Sequence, residues 1–221
     1  MTTDARQRQY WERDHGFRPY DHPVVELFAE QRLRLLRRWI DFSAVRRALD
    51  VGCGDGFSTF YVRRYVGNVW ATDRSSVMLS RHPLRAEARL TAADARTLPY
   101  RHDAFDLVYG WEILHHVSDP AAVVAEMARV SRRYVLVAEP NRYNPAQFAY
   151  GLYDAEHRWV LRYSPSYLDG LCTRAGLRIV KTGTGGLILP NRTPHVLARA
   201  LARLPYEVPF GISNLVLAEK R

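Results

Sequence analysis

The most constraining feature of the sequence is a short glycine-rich loop, Gly52–Gly56, which reads G-C-G-D-G. It follows the apolar run Ala48–Val51 and precedes a segment with helical spacing that ends near Tyr65. Glycine lets the backbone turn sharply and lets a ligand approach the main chain without meeting a Cβ atom. Because ligands bind at the carboxyl ends of strands in open α/β sheets, the pattern predicts a strand, a ligand-binding turn and a helix.

Short apolar runs recur along the chain and alternate with segments of helical spacing. The runs predicted as strands are Ala48–Val51, Val69–Thr72, Arg89–Ala93, Phe105–Tyr109, Tyr134–Ala138, Leu177–Thr182 and Ile212–Ala218. Strands that alternate with helices usually pair in parallel and carry helices on both faces of the sheet. The sequence therefore predicts an α/β fold on a mostly parallel sheet of seven strands.

The chain of 221 residues is predicted to form a single domain, without internal repeats or linkers. Residues 1–44 are predicted as a helical cap, with an amphipathic helix at Thr3–His15 and a stronger one at Val24–Phe42. Residues 45–140 and 141–221 are predicted as the two halves of the sheet. The second half is predicted to contain an insertion at 185–211, with one amphipathic helix near His195–Leu204.

Composition argues against several classes of protein. No stretch of about 20 apolar residues is present, as a transmembrane helix would need. Met1–Arg13 lacks the apolar core of a signal peptide. Cys53 and Cys172, the two cysteines, are too few for a disulfide framework or a four-cysteine zinc site. We therefore expect a cytoplasmic protein.

The net charge of +9 and a pI near 9.8 raise the question of nucleic-acid binding. The positive charge is almost all arginine, since only Lys181 and Lys220 are lysines. The arginines are spread along the chain without a block of five or six like charges. We therefore do not expect nucleic acid as a partner, and the basic surface can instead attract an anionic small molecule or an acidic membrane surface.

An acidic residue, Asp73, follows the second predicted strand. In folds of this kind an acid at that place accepts hydrogen bonds from ribose hydroxyls, which indicates a nucleoside ligand. The dinucleotide fingerprint G-x-G-x-x-G is not met, because position 57 is Phe. The loop instead reads G-x-G-x-G after Asp50, and this resembles motif I of the class I S-adenosylmethionine-dependent methyltransferases.

Further segments carry the same resemblance and extend it over Arg46–Ala138. They are Asp73, Asp94-Ala95, Phe105–Gly110, Leu114–Val117 and Asp119-Pro120. The block after the fourth strand is similar to the small-molecule branch that includes quinone-biosynthesis methyltransferases. The resemblance implies a Rossmann-like sheet whose last strand is antiparallel, and S-adenosylmethionine as the cofactor.

The resemblance also implies roles for single residues. Asp50, the main chain of the glycine loop and the Gly110 carbonyl would hold the methionine portion. Asp73 would bind the ribose, and Asp94 with the Ala95 N–H would bind the adenine edge. The residues expected at the cofactor are Asp50, Gly52, Cys53, Gly54, Asp73, Arg74, Met78, Asp94, Ala95, Gly110 and Trp111. Met78 fits a core position of the next helix equally well.

Methyl transfer requires an acceptor placed in line with the donor methyl group and shielded from water. A base is needed only when the acceptor holds its proton tightly. Glu112, His115 and His116 follow the fourth predicted strand at i, i+3 and i+4, so one helical turn would put them on one face. These are the candidate catalytic residues, with a histidine as base, although such histidines also serve to shape the turn. We expect no metal ion.

The acceptor is expected to contact residues in the segments that cover the sheet. The residues predicted to bind it are Tyr10, Trp11, Tyr20, Asn141, Arg142, Tyr143 and His157. Their aromatic density suits an apolar or ring-bearing acceptor. The alternative for each ring is that it only closes the core.

Three functions compete on this evidence. The first is methylation of oxygen, nitrogen or carbon in a small molecule, and the second is methylation of RNA or DNA. The third is a catalytically inactive partner subunit that only binds the cofactor. Base-amino methylation usually relies on an Asn/Asp-Pro-Pro-aromatic motif after the fourth strand, where Tyr109–Glu112 stands here. The insertion is expected to be a substrate lid, a homodimer surface or a membrane-surface contact.

Overall fold

The computed structural model describes residues 17–86, 89–154 and 158–220. The strands of this part are β1 (Ala48–Val51), β2 (Val69–Asp73), β3 (Arg89–Ala92), β4 (Phe105–Trp111), β5 (Ser131–Pro140), β6 (Leu177–Gly185) and β7 (Ser213–Lys220). They form one sheet in the order β3-β2-β1-β4-β5-β7-β6. Neighbours among β1 to β5 pair in parallel, whereas β7 runs antiparallel between β5 and β6. The predicted Rossmann-like α/β fold, with its antiparallel last strand, is confirmed.

Helices cover both faces of this sheet. They are α1 (Pro23–Trp39), α2 (Phe57–Val62), α3 (Ser76–Ser80), α4 (Pro120–Val130), α5 (Pro145–Tyr153), α6 (Pro165–Arg174) and α7 (His195–Leu201). Leu107 and Val108, neighbours in β4, belong to different buried clusters, so the clusters lie on opposite faces. The first cluster contains residues of α1 and α2, and the second contains residues of α4 and α6. No helix in the described ranges is long and apolar enough to cross a membrane.

The helical cap is present in its described part. Predicted over Val24–Phe42, α1 spans Pro23–Trp39. It does not continue because the Asp41 carboxylate accepts the Ser43 N–H at 3.0 Å and caps a separate 3-10 turn. The other helix predicted for the cap, Thr3–His15, lies outside the described residues.

The predicted insertion packs against this cap. β6 continues past its predicted end at Thr182, because its pairing with β7 extends to Gly185. The helix of the insertion, α7, ends at Leu201. The Gln31 side-chain amide of α1 donates to the carbonyls of Leu201 at 3.1 Å and Leu204 at 3.0 Å. These bonds attach the insertion to α1.

Candidate active site

A cavity of about 570 Å³ opens at the carboxyl ends of β1, β2 and β4. Its walls come from the glycine loop, the end of β2, the turn after β4, α1 and residues 189–192 of the insertion. This is the edge at which open α/β sheets bind ligands. The volume lies within the usual range for small-molecule sites.

The glycine loop needs glycine for two different reasons. Gly52 and Gly54 have left-handed backbones, with φ of +70° and +55°. A Cβ atom at Gly52 would lie 2.2 Å from Cδ1 of Ile113, so a side chain cannot fit there. At Gly54 the nearest atom is Cε of Met78 at 3.5 Å, so the backbone conformation alone requires glycine. The loop therefore presents bare main chain to the cavity.

Asp73 fastens this loop to the end of β2. Its Oδ2 accepts the Gly54 N–H at 2.9 Å, and its Oδ1 accepts the Ser75 N–H at 2.8 Å. Burial raises the pKa of the Asp73 carboxyl above its ordinary value, and the two N–H donors partly offset this effect. The side chain lines the cavity. A carboxylate has lone pairs beyond these two bonds, so Asp73 can accept further hydrogen bonds from a ligand.

The end of β3 supplies a second acidic group to the cavity. Asp94 and Ala95 line it. Arg96 donates to both Asp94 oxygens, from Nε to Oδ1 at 3.0 Å and from Nη2 to Oδ2 at 2.7 Å, and this lowers the pKa of the Asp94 carboxyl. Asp94 is thus held as an ionised hydrogen-bond acceptor. Four other residues expected at the cofactor also line the cavity, namely Cys53, Arg74, Met78 and Trp111.

The structure does not bring Asp50 and Gly110 to the cavity wall. Asp50 is fully buried beneath the glycine loop, where its Oδ2 accepts the hydroxyls of Ser58 at 2.6 Å and Thr59 at 2.7 Å. Both hydroxyls belong to the first turn of α2, so Asp50 anchors this helix to β1. Gly110 lies inside β4, paired with Val137 of β5. The expected direct contacts of these two residues with the cofactor therefore find no support in the geometry.

The buried Asp50 carboxyl should make stability depend on pH. Burial raises the pKa of Asp50 from 3.8 to about 6, and the Ser58 and Thr59 hydroxyls partly offset it. The native state then holds this proton more tightly than the unfolded chain does. The free energy of unfolding should therefore fall as the pH rises from about 4 to about 6, by about 3 kcal/mol.

The Asp50→Asn variant should lack this dependence while keeping an oxygen for both hydroxyls. Urea denaturation of wild type and variant across this pH range measures the difference. As the pH rises from about 4 to about 6, the free energy of unfolding of the variant should increase relative to that of wild type by about 3 kcal/mol. Parallel pH profiles for the two proteins would show that the carboxyl is not the cause.

The turn after β4 differs from its prediction. Glu112 has a left-handed backbone, with φ of +62°, and its N–H donates to the Ala138 carbonyl of β5 at 2.7 Å. A short 3-10 turn follows at Leu114–His116. The prediction that one helical turn aligns Glu112, His115 and His116 is wrong, because hydrogen bonding to β5 continues through Glu112. All three side chains nevertheless line the cavity.

Glu139, which the sequence pattern did not single out, lies behind this turn. It is fully buried in β5, and its oxygens accept the N–H groups of Leu114 at 2.7 Å and His115 at 3.3 Å. Its Oε2 also lies 2.7 Å from Nδ1 of His115. Among the described residues no three His, Cys, Asp or Glu side chains are grouped to hold a metal ion.

Arg32 of α1 is another residue that the sequence did not single out. Its side chain is fully buried, with Nε donating to the Tyr206 hydroxyl at 3.0 Å and Nη2 to the Ser213 hydroxyl at 2.7 Å. Nη2 also lies 3.3 Å from Oε1 of Glu112. The guanidinium carbon is 4.9 Å from the centre of the Trp111 ring. The signal for its burial was the helical spacing, because Arg32 is four residues from both Phe28 and Leu36 and so shares their face of α1.

The end of the cavity nearest α1 is aromatic and apolar. The Phe57 ring lies 5.9 Å from that of Phe28 and 5.7 Å from that of Trp111, centre to centre. Other apolar and aromatic residues of the cavity wall include Phe17, Tyr20, Val25, Ile113, Val117, Tyr150, Val160, Leu189 and Ile212. Tyr20 was predicted at the acceptor. Trp111 was predicted at the cofactor. The other residues of this wall come from segments that are distant in the sequence and meet only in the fold.

The structure does not bring Asn141, Arg142 and Tyr143 to the cavity wall. The Asn141 amide donates to the Gly211 carbonyl at 2.9 Å, and its Oδ1 accepts the Tyr143 N–H at 3.0 Å. The Arg142 guanidinium lies over the Tyr143 ring, which is 56% exposed. These three residues are thus engaged away from the cavity, whereas Ala146, Gln147 and Tyr150 of α5, in the same segment, do line it. The remaining predicted acceptor residues lie outside the described part of the chain, namely Tyr10, Trp11 and His157.

Arg18 holds the insertion against the cavity. Its Nη1 donates to the carbonyls of Pro190 at 2.9 Å and Thr193 at 2.8 Å, and its main-chain N–H donates to Oδ1 of Asn191 at 3.0 Å. Residues 189–192 and Arg18 itself line the cavity. Residues 189–192 of the insertion therefore form part of the cavity wall.

Comparison with known proteins decides the family. A family model described as a methyltransferase domain matches residues 49–137. The ubiquinone biosynthesis O-methyltransferase of Paracidovorax citrulli is 30% identical over 202 residues, which cover 79% of this chain and 78% of that protein. The chain belongs to the class I S-adenosylmethionine-dependent methyltransferases. It is an enzyme of the small-molecule type, with S-adenosylmethionine as its cofactor.

Two other matches agree with this placement of the methyltransferase. Methyltransferase GfsG of Streptomyces halstedii is 31% identical over 140 residues, which cover 60% of this chain but only 49% of that protein. The crystal structure of magnesium protoporphyrin IX methyltransferase from Synechocystis PCC 6803, with bound SAM, is 14% identical. The match covers 100% of this chain and 98% of that chain, with a TM-score of 0.63, and it shows that the two share a fold.

The residues of the methyltransferase fit this cofactor. The bare main chain at Gly54 leaves room for a ligand beside the loop. Asp73 offers free lone pairs to hydroxyl donors, and Asp94 is an ionised acceptor for an amino group. Both carboxylates also suit a ligand that carries positive charge.

Proposed function

We propose that this methyltransferase methylates a hydroxyl group on a small, ring-bearing and largely apolar acceptor. One observation carries the proposal: a continuous cavity joins the glycine loop and Asp73 to the contacting rings of Phe28, Phe57 and Trp111. Aromatic walls of this kind bind apolar rings through face and edge contacts. Relatives named as ubiquinone biosynthesis O-methyltransferases support oxygen as the accepting atom.

When bound, S-adenosylmethionine supplies a sulfonium methyl group that is transferred in line as its carbon–sulfur bond breaks. The chain then has to bind, align and exclude water. We propose that Asp73 accepts hydrogen bonds from the ribose hydroxyls, and that Asp94 with the Ala95 N–H binds the adenine edge. The main chain of Gly52 and Gly54 would hold the methionine portion.

On the acceptor side, the aromatic wall would orient the ring and the insertion would keep water out. Residues 189–192, held by Arg18, cover the cavity. Glu112, His115 and His116 stand on the turn between the two ends and are the groups placed to act on the accepting atom.

We infer that the enzyme is cytoplasmic and that its acceptor is not nucleic acid. The apolar character of the cavity wall near α1 supports a small apolar molecule over a polyanion. Two further statements stay predictions from the sequence. One is the division of the chain into residues 1–44, 45–140 and 141–221, and the other is that the enzyme forms a homodimer. Light scattering of the purified protein checks the oligomeric state.

Transfer of label tests the proposed function. The purified enzyme is incubated with S-[methyl-³H]adenosylmethionine and, separately, the small-molecule and RNA fractions of a bacterial extract. We expect label in solvent-extractable compounds of the first fraction, in amounts that depend on enzyme concentration. Label only in RNA would contradict the proposal, and so would cofactor binding by calorimetry without transfer to either fraction.

A further inference from the structure

The helix α5 contains no charged side chain, yet it lies almost entirely on the surface. Of its nine residues only Gly151 is buried. The exposed residues are Pro145, Ala146, Phe148, Ala149, Tyr150, Leu152 and Tyr153. At about 3.6 residues per turn these seven form one continuous side of the helix, which we call the α5 face. Exposed apolar surfaces of this kind mark sites that bind another protein or a membrane.

The apolar surface continues past the first turn of α5. Asn144 caps the helix by accepting the Gln147 N–H at 3.1 Å, and its side-chain amide donates to the Phe210 carbonyl at 2.6 Å. The side chains of Phe210 and Tyr143 are both exposed. Two more aromatic residues therefore flank the beginning of the α5 face.

Arginines border this surface. A 3-10 turn that begins at Arg158 and ends at Arg162 packs against α5, and both of these arginines are exposed. The Arg162 guanidinium lies 3.8 Å from the centre of the Trp159 ring, and the Arg142 guanidinium lies 5.7 Å from that of Tyr143. We call the three arginines, which stand beside aromatic rings at the edge of α5, the basic rim.

The rim carries a net positive charge. Among the described residues of 141–163 the one acid is Asp154, at the end of α5. No ion pair within the described ranges joins an arginine of the rim to a carboxylate. The rim can therefore attract a negatively charged partner.

The cavity lies beside this surface. Ala146, Gln147 and Tyr150 of α5 line it, and so does Val160 of the 3-10 turn. A partner that binds the α5 face therefore adjoins the wall that α5 contributes to the cavity.

The chemistry of the surface points to an anionic lipid bilayer as this partner. A bilayer offers apolar chains to α5 and negative headgroups to the basic rim, and aromatic residues favour the boundary between the two. Apart from two tyrosine hydroxyls the α5 face has no polar side-chain group. Protein interfaces, in contrast, carry about one hydrogen bond per 100–200 Å². A second copy of the chain would bring two basic rims together across a two-fold axis, where like charges repel.

We propose that the methyltransferase binds the surface of an anionic lipid bilayer through the α5 face, with the basic rim at the headgroups. This inference goes beyond the proposed function, because binding to a bilayer does not depend on the acceptor. It places the cavity next to the membrane, from which an apolar acceptor can enter without crossing bulk water.

Sedimentation with sucrose-loaded vesicles tests the proposal. The purified full chain is mixed with vesicles of phosphatidylcholine and phosphatidylglycerol in equal parts, or of phosphatidylcholine alone. We expect binding to the anionic vesicles to be tighter by about tenfold or more. Added salt should weaken it, because salt screens the attraction between arginines and headgroups.

The apolar contribution is tested with the double variant Leu152→Ser/Tyr153→Ser. These side chains are 56% and 92% exposed and do not line the cavity. Affinity for the anionic vesicles should fall by about tenfold. The matched control is Val196→Ser/Leu197→Ser on α7, where two neighbouring apolar side chains are 49–83% exposed and also lie away from the cavity wall. Its vesicle affinity should stay at wild-type level.

The charge contribution is tested with Arg158→Gln/Arg162→Gln, which should lower affinity for the anionic vesicles by about tenfold or more. The matched control is Arg37→Gln/Arg38→Gln, which removes the same charge from the last turn of α1. None of these arginines lines the cavity. Melting temperature and affinity for S-adenosylhomocysteine should therefore stay close to wild type in all four variants.

Several outcomes would overturn the inference. Wild type that binds neither kind of vesicle, or binds both equally, has no site for an anionic bilayer. Equal losses in a test variant and its control would show that the α5 face and the basic rim are not the site. If light scattering shows that Leu152→Ser/Tyr153→Ser converts a dimer to a monomer while wild type ignores vesicles, a second copy covers α5 instead.

Discussion

Replacing Asp73 with alanine should weaken S-adenosylmethionine binding by at least about 100-fold. A hydrogen bond to a charged acceptor contributes about 1.5–3 kcal/mol, and the ribose offers two hydroxyl donors. Each 1.4 kcal/mol corresponds to about a tenfold change in affinity. Isothermal titration calorimetry of wild type and variant measures the change. Equal affinity of the two proteins would show that Asp73 does not hold the cofactor.

The alanine variant also loses the bonds from Asp73 to the N–H groups of Gly54 and Ser75. A ligand pair separates this effect from the ribose contact. Wild type should bind S-adenosylhomocysteine far more tightly than its 2′,3′-dideoxy analogue, whereas Asp73→Ala should bind the two alike. The matched control is Asp41→Ala, because Asp41 also accepts a main-chain N–H, from Ser43, and does not line the cavity. A preference for the ribose hydroxyls that survives in Asp73→Ala would place their partner elsewhere.

The cofactor half of the site could be predicted because its signals are local. The glycine loop, Asp73 and Asp94 each lie at the end of a strand or within two residues of it, and parallel strands bring their carboxyl ends to one edge. Strand ends were less certain, since β4 and β6 gain their last residues from pairing with other strands. Asp50 belongs to the same motif, yet its carboxylate accepts hydrogen bonds from two hydroxyls of α2 and does not reach the cavity.

The acceptor half could not be predicted because distant segments build it. Phe28, Trp111 and Leu189 come from α1, β4 and the insertion, and each has the pattern of an ordinary core residue. One signal was available at Glu139, which directly follows the apolar run Tyr134–Ala138 as Asp73 follows its own strand. The backbone of Glu112 could not be foreseen, because a left-handed glutamate is uncommon and only the bond to Ala138 fixes it.

Neutralising Glu112 should cost far more stability than its half-exposed position suggests. Arg32 is 0% exposed while the Glu112 side chain is 42% exposed, and the two side chains approach to 3.3 Å. The Glu112→Gln variant leaves a fully buried guanidinium without this carboxylate. Loss of one partner costs about 3–5 kcal/mol when both charges are buried. Because solvent reaches Glu112 and the glutamine oxygen still accepts from Arg32, we expect a cost of about 2–3 kcal/mol.

Removing Arg32 instead should be less harmful, because water can reach the carboxylate that remains. Arg32→Met leaves the Tyr206 and Ser213 hydroxyls without this donor, at about 1 kcal/mol each. In that background Glu112→Gln should cost almost nothing more, since the two residues are coupled. Urea denaturation of the single and double variants measures this cycle. Glu30→Gln, which breaks the exposed pair with Arg64, is the control and should cost about 0–1 kcal/mol. If Glu112→Gln lowers the free energy of unfolding by no more than Glu30→Gln does, other groups balance the charge of Arg32.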